Sequence, residues 1–435
     1  LYGIPSVNPT VVEAGKYSTI GGGFQNRATG TSSVVGGGFC NLSSAECTTV
    51  GGGGCNTASV YRATVAGGFA NTASAASSTV GGGVVNTANG TQSTIAGGLT
   101  NTASGNVSTI GGGQSNTASG NCSTIGGGKQ NIVLTQWSTI SGGYQNCISG
   151  NRAFIGGGQS NTASGGYFAA VAGGNSNTAS GYGSFVGAGS SNTASGARSV
   201  VGGGQSNSAS GCYTIIGGGS ANSAVAGARN VISGGQDNRI CGGSSGCNTI
   251  SGGFSNCIIT GFVNTIGGGW NNCISCGSYH AIAGGYRNVI SSGTESGILT
   301  GGANTVSAIY SVVVGGQTNV ASGVCSGILG GRGNTASGAH SSVLGGAGNT
   351  ISGACSGGGG RTVTGTATAT FYWNNFCATS GTGSFNQGVI TGQPGCYSAG
   401  TWKLGPGFAG TQPSETHQII VEINGQLYVI GAALV

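Results

Sequence analysis

The sequence predicts an all-β protein: a parallel β-roll or β-solenoid of about 22 fifteen-residue rungs, followed by a small C-terminal β domain. Three observations predict it. A Gly-Gly-Gly run or close variant recurs every fifteen residues, at Gly21, Gly36, Gly51, Ala66, Gly81, Ala96, Gly111, Gly126, Ser141 and Gly156. The residue before each run is β-branched, as in Ile20, Val50, Ile110, Val201 and Ile266, with Leu299 the exception. An Asn follows five residues after the start of each copy, with only Asn304 a residue early. A disordered Gly/Ser/Asn-rich linker would not hold a branched residue and an Asn in phase through so many copies.

Each rung reads as two short strands, Thr-Ile before the glycines and Asn-Thr-Ala-Ser after them. The glycines form the corner, because they accept positive φ and close backbone approach. The Asn and the residue two beyond it, such as Ala58, Ala103 or Ile148, share one face of an extended strand. Stacking at ~4.8 Å per rung then puts Asn on Asn and branched residue on branched residue, in a rod on the order of 100 Å long. The expected structural ladder is Asn26, Asn41, Asn56, Asn71, Asn86, Asn101, Asn116, Asn131, Asn146 and Asn161, bonding from rung to rung.

One such rung buries little: a branched residue, an Ala and an Asn, set against the ordering entropy of fifteen residues. The missing burial is expected from neighbouring chains, and threefold closure suits a rod, so a homotrimer is expected. The position two before the glycines supports this. It is Thr in most early copies and becomes Phe154, Phe185, Val200, Ile215 and Val231 later, an apolar column that needs a cover.

Along the chain, residues 1–17 carry two prolines and no copy of the repeat, and read as an extended attachment segment. Residues 18–355 form the rod. Between 233 and 299 the copies lengthen and gather Cys and charge, which predicts bulges or surface loops. Ser356–Gly360 reads as a flexible break. Residues 356–435 read as a β cap or knob, with a hairpin around Asn424–Gly425 and a candidate disulfide between Cys377 and Cys396. A cap is expected because an open rung end exposes unpaired backbone groups. The other cysteines admit three readings: small buried thiols, disulfides within or between chains, and metal ligands.

The chemistry-bearing residues are sparse. Six acidic residues form no pair at hydrolytic spacing, and His280, His340 and His417 are isolated. Cys273-x-x-Cys276 resembles half a zinc site but lacks a second pair, so repeat-position cysteines are the preferred reading. No enzyme activity, cofactor or metal is expected. The net charge of +6 is spread thinly, so nucleic-acid binding is not expected, and no apolar run is long enough for membrane insertion. One patch invites a receptor reading: Tyr372, Trp373, Asn374 and Asn375, with Trp402, combine aromatic faces with amides as sugar-binding surfaces do. The competing and preferred reading makes these aromatics the core of the cap.

Stretches such as STIGGGQSNTASG (108–120) and SFVGAGSSNTASG (184–196) resemble the repeats of trimeric autotransporter adhesin heads, and similar arrays occur in phage and viral fibre proteins. The resemblance covers about 18–355. It implies a trimeric left-handed parallel β-roll that binds host surfaces. The copies have fifteen residues where adhesin heads have fourteen, no coiled-coil stalk or membrane-anchor barrel is read in the sequence, and the residue palette is structural, so the expected identity is a virion or phage tail fibre. Its expected partners are other virion or surface-assembly proteins and a host-surface glycan or protein receptor, and its expected place is the virion surface or cell exterior. The alternatives are a bacterial adhesin head and, from the early Thr column, an ice-binding solenoid.

Overall fold

The computed structural model describes residues 12–13, 15–225, 227–241, 246–373, 419–423 and 426–430. Among these, two parallel ladders of 24 strands each run the length of a solenoid. One ladder stacks the Thr-Ile strands in register, as in Thr109–Ile110 on Thr124–Ile125. The other stacks the strands after the Asn, as in Thr102–Ala103 on Thr117–Ala118. No helix among the described residues is long and apolar enough to cross a membrane.

Alternation decides the interior. In each two-residue strand the first side chain points out and the second in, so Ile110, Ile125 and Ile140 form one fully buried column and Ala103, Ala118 and Val133 the facing one. The Asn column is also buried, and so is a second polar column on the opposite corner, Ser78, Ser93, Ser108, Ser123 and Ser138. These four columns close the interior within one chain. The expectation that a rung must share its interior with neighbouring chains therefore loses its premise: it counted the burial of one rung, while stacking seals each rung between two others.

Every rung turns twice through a residue with left-handed backbone. The first stands just before the Asn, as at Ser115 (φ 54), and the second just before the Ser, as at Val107 (φ 58). The third glycine of each run combines left-handed backbone with a lack of room for a side chain. At Gly128, φ is +88 and an added Cβ would lie 2.2 Å from the Gly143 carbonyl oxygen, whereas one on Gly127 would meet nothing within 4 Å. Residues replacing the first two glycines, such as Ala66 and Ala188, fit this pattern.

Several expected boundaries move. The ladder of strands that follow the Asn already starts at Val12–Glu13, which pairs with Arg27–Ala28, inside the segment expected to be a lead-in, because backbone pairing needs only extended chain. The longer copies keep both ladders unbroken, with Val231 on Thr249 and Arg239 on Cys257; the extra residues lie between strands. Among the described residues the strand pairing shifts register between Val343 and Gly345. Nor does the array end at 355. Gly357–Arg361 is a strand that pairs with both Ser342–Ala347 and Phe371–Trp373, so the glycine run continues the rod. Near the C-terminus Ile419–Ile423 pairs antiparallel with Gln426–Ile430, as expected for a hairpin.

Candidate functional surfaces

The Asn column fixes the corner on which every surface side chain depends. Asn116 Nδ2 donates to the carbonyls of Gly112 (3.0 Å) and Gly128 (2.9 Å), while its Oδ1 accepts the Asn131 backbone N–H at 3.0 Å. The same bonds recur from Asn26 onward, through Asn41, Asn56, Asn71, Asn86, Asn101, Asn131, Asn146 and Asn161. The ladder is thus mainly side chain to backbone. Amide-to-amide contacts are a supplement, as between Asn116 and Asn131 at 3.2 Å. Each Asn thus satisfies two backbone groups that have no other partner and adds a second donor to a third, as at the Gly128 carbonyl, which also accepts the Gln114 N–H at 2.9 Å.

The second polar column differs along the rod. Early on it is Ser, and the hydroxyls of Ser93, Ser108 and Ser123 are buried without a partner. From Asn230 it becomes an acceptor chain: Asn248, Asn264, His280, Ser296, Ser311 and Ser326 each donate a backbone N–H to the side chain one rung before. His280 replaces an Asn in this chain. Its Nδ1 accepts the Ser296 N–H at 3.2 Å, and Nε2 faces the Cys276 and Gly293 backbone, where an Asn amide would sit. Burial lowers its pKa, against the smaller opposing effect of nearby backbone hydrogen bonds.

Of the residues expected to meet a receptor, two are described. Trp373 is 37% exposed and stacks on Phe371, 55% exposed, with ring centroids 6.2 Å apart. Tyr372 turns inward against the core, and its hydroxyl accepts the Ala367 N–H at 2.9 Å. The glycines beneath make room: an added Cβ on Gly359 would meet the Trp373 ring at 2.4 Å, and one on Gly365 the Tyr372 ring at 2.3 Å. These aromatics belong to the last described rung of the rod, where a separate cap core was the preferred reading. Asn374, Asn375, Trp402, Cys377 and Cys396 lie outside the described residues, so the expected disulfide and most of the patch do too.

The described cysteines are free thiols. Cys241 and Cys257 bring their sulfurs to 3.9 Å, and Cys257 sits in register with Cys273. The neighbouring Cys273 thiol, with burial, pushes Cys257 above the ordinary thiol range. No group of three or more His, Cys, Asp or Glu side chains among the described residues is arranged to hold a metal ion.

Two exposed columns escaped the reading by motif. Just after the glycines Phe24, Phe39 and Phe69 stand in line, with Phe39 and Phe69 6.3 Å apart across Gly54. On the opposite turn edge Trp137, Arg152, Phe168, Tyr182, Arg198, Tyr213 and Arg229 form a continuous seam. The signal for both was phase: their members recur at the same offset within the repeat or, for Tyr182, one residue from it.

No protein-family model matches the chain, and no curated protein matches it.

Proposed function

We propose that the protein is a structural and adhesive fibre of a virion or phage tail, a rod that projects from the particle and contacts the host surface. The observation that carries this reading is the separation of frame from surface. Two ladders of 24 strands keep one backbone register while the outward positions change from Thr to Phe, Val, Ile, Cys and Gly. Such a frame gives reach, about 110 Å at ~4.8 Å per rung, and leaves its outer side chains free for contact. Association as a homotrimer fits the outward apolar column Phe154, Phe185, Val200, Ile215 and Val231, as side-by-side contact of rods that are each closed. Exposed Trp373 and Phe371 offer a stacking surface for a receptor at the far end of the array. The resemblance to adhesin heads keeps a bacterial surface as the alternative display site.

The test is immunogold electron microscopy of particles and source cells with antibody to residues 18–355, combined with cross-linking to count chains. Label on projections and a three-chain product are expected. Label confined to the particle interior or the cytoplasm, or a single-chain product, contradicts the reading.

One observation favours a second reading. Outward Thr columns run through Thr49, Thr64, Thr79, Thr94, Thr109, Thr124 and Thr139 on one ladder and Thr57, Thr72, Thr87, Thr102 and Thr117 on the other. A regular hydroxyl array of this kind suits an ice surface, and thermal hysteresis by the purified rod would support that reading over the fibre.

A further inference from the structure

We infer that the turn edge from Trp137 to Arg229 is a binding seam for a linear anionic polysaccharide, one carrying carboxylate or sulfate groups; this deepens the host-contact reading and rests on it for its biological setting. The seam is built by the repeat. Its members occupy the second left-handed turn or the residue beside it, so each rung carries the next one on at the same edge. Arg152 lies between two rings, 5.0 Å from the Trp137 centroid and 5.8 Å from that of Phe168. Phe168 meets Tyr182 edge to face at 6.1 Å, and Tyr167 packs beside both. Arg198 then bridges Tyr182 and Tyr213, donating to the Tyr213 hydroxyl, and Arg229 covers the other side of Tyr213 at 5.8 Å.

Three features point to this class of ligand. First, the rings are exposed: Trp137 by 52% and Phe168 by 49%, with Tyr167, Tyr182 and Tyr213 similar. Exposed aromatic faces suit the C–H faces of sugar rings. Second, the seam has cations and no counter-charge. No acidic residue occurs between Glu46 and Asp237, whereas Arg62, Lys129, Arg152, Arg198 and Arg229 do. A guanidinium held flat by neighbouring rings keeps its N–H edges available and loses less entropy when it grips a carboxylate or sulfate. Third, the spacing is that of a track. At ~4.8 Å per rung, three rungs from Arg152 to Arg198 and two from Arg198 to Arg229 correspond to about 14 and 10 Å. A polymer laid along the edge meets a cation or an aromatic face on almost every rung. Side-chain amides of Asn121, Gln136 and Asn151 line the same edge and suit hydroxyl groups.

The experiment measures binding of the purified chain to heparin, to polygalacturonate, to neutral dextran and to a single-stranded oligo-dT. Saturable binding to heparin or polygalacturonate that weakens with salt is expected, with little binding to dextran. The triple variant Arg152→Gln, Arg198→Gln, Arg229→Gln should lose at least tenfold in affinity, and Trp137→Ala with Tyr213→Ala should also weaken it. Arg62→Gln, on the same edge several rungs earlier, should bind as the parent does. Circular dichroism and sedimentation of each variant report fold and chain number. Equal affinity for oligo-dT or dextran, parent-like binding by the triple variant, or a change in chain number in place of binding would each overturn the inference. Because binding is read in solution, it can fail while gold-labelled projections stand, and can hold if they do not.

Discussion

Residues 78–138 and residues 230–298 build the same rung in two ways. In the first stretch one corner is held by Asn and the other is a tight turn before Ser, in which Ser108 N–H bonds back to the Gly105 carbonyl. The rung is fifteen residues long and one of its two apolar columns is largely Ala. In the second stretch both corners are of the Asn type, neighbouring rungs between Asn256 and Asn304 are sixteen residues apart, and both columns are Ile. The unit is therefore a half-turn: a buried polar residue, an outward residue, an inward branched or small one, then a corner. The tight corner satisfies the polar residue's N–H locally, while the Asn corner passes that task to the previous rung. Each Ala-to-Ile exchange adds about 2 kcal/mol of apolar burial per rung at ~0.8 kcal/mol per methylene, so the second stretch should be the last to open.

The largest effect should come from the corner the two stretches share. Asn116→Ala strands the Gly112 carbonyl and the Asn131 N–H and removes one of the two donors to the Gly128 carbonyl, at a cost of about 4 kcal/mol. Ser108→Ala, whose hydroxyl has no partner, should cost almost nothing. Hydrogen exchange resolved by rung is the fitting measurement, since stability in a stacked array is local.

Next comes the interior. Ile266→Ala should cost about 3 kcal/mol by opening a cavity in the wider stretch. Ala103→Ile, which forces that width on the narrower one, should cost ~1–3 kcal/mol by overpacking. If Ala103→Ile were neutral by denaturation, the two interiors would not differ as described.

Third is the corner glycine. Gly128→Ala combines a left-handed backbone with a clash against the next rung and should cost about 3 kcal/mol, while Gly127→Ala should stay within ~0.5 kcal/mol.

The smallest effect should be the pH response of the second stretch. His280 is held below the ordinary histidine range by burial. The unfolded chain therefore binds the proton more readily, so stability is full above about pH 6.5 and falls as pH drops from there towards the folded-state pKa. Protonation also replaces the acceptor that takes the Ser296 N–H. Exchange around 264–298 should quicken on acidification, and His280→Asn, which restores the column's usual donor and acceptor, should remove that response.

The frame was legible because it rests on short-range chemistry repeated in phase. Ile110, the third glycine and Asn116 each have one job, and the repeat shows all three. The second polar column was not, because its occupants change: Ser108, Thr214, Asn264 and His280 share a place but no residue type. In sequence only one Asn per copy keeps its phase, so the eight-residue half-turn from Asn256 to Asn304 reads as insertion. The glycines of 357–360 misled for a related reason. They read as flexible until Phe371, Tyr372 and Trp373 are seen lying over them. The Arg–aromatic seam has no motif; it exists only as a shared offset on successive rungs.

One chain closes its own interior, and any association joins finished rods. Sedimentation velocity and far-ultraviolet circular dichroism, followed together through serial dilution, test it most directly. The β spectrum should stay unchanged at every concentration, including any at which the sedimenting mass falls to that of a single chain. Loss of the β spectrum in step with the fall in mass would contradict it.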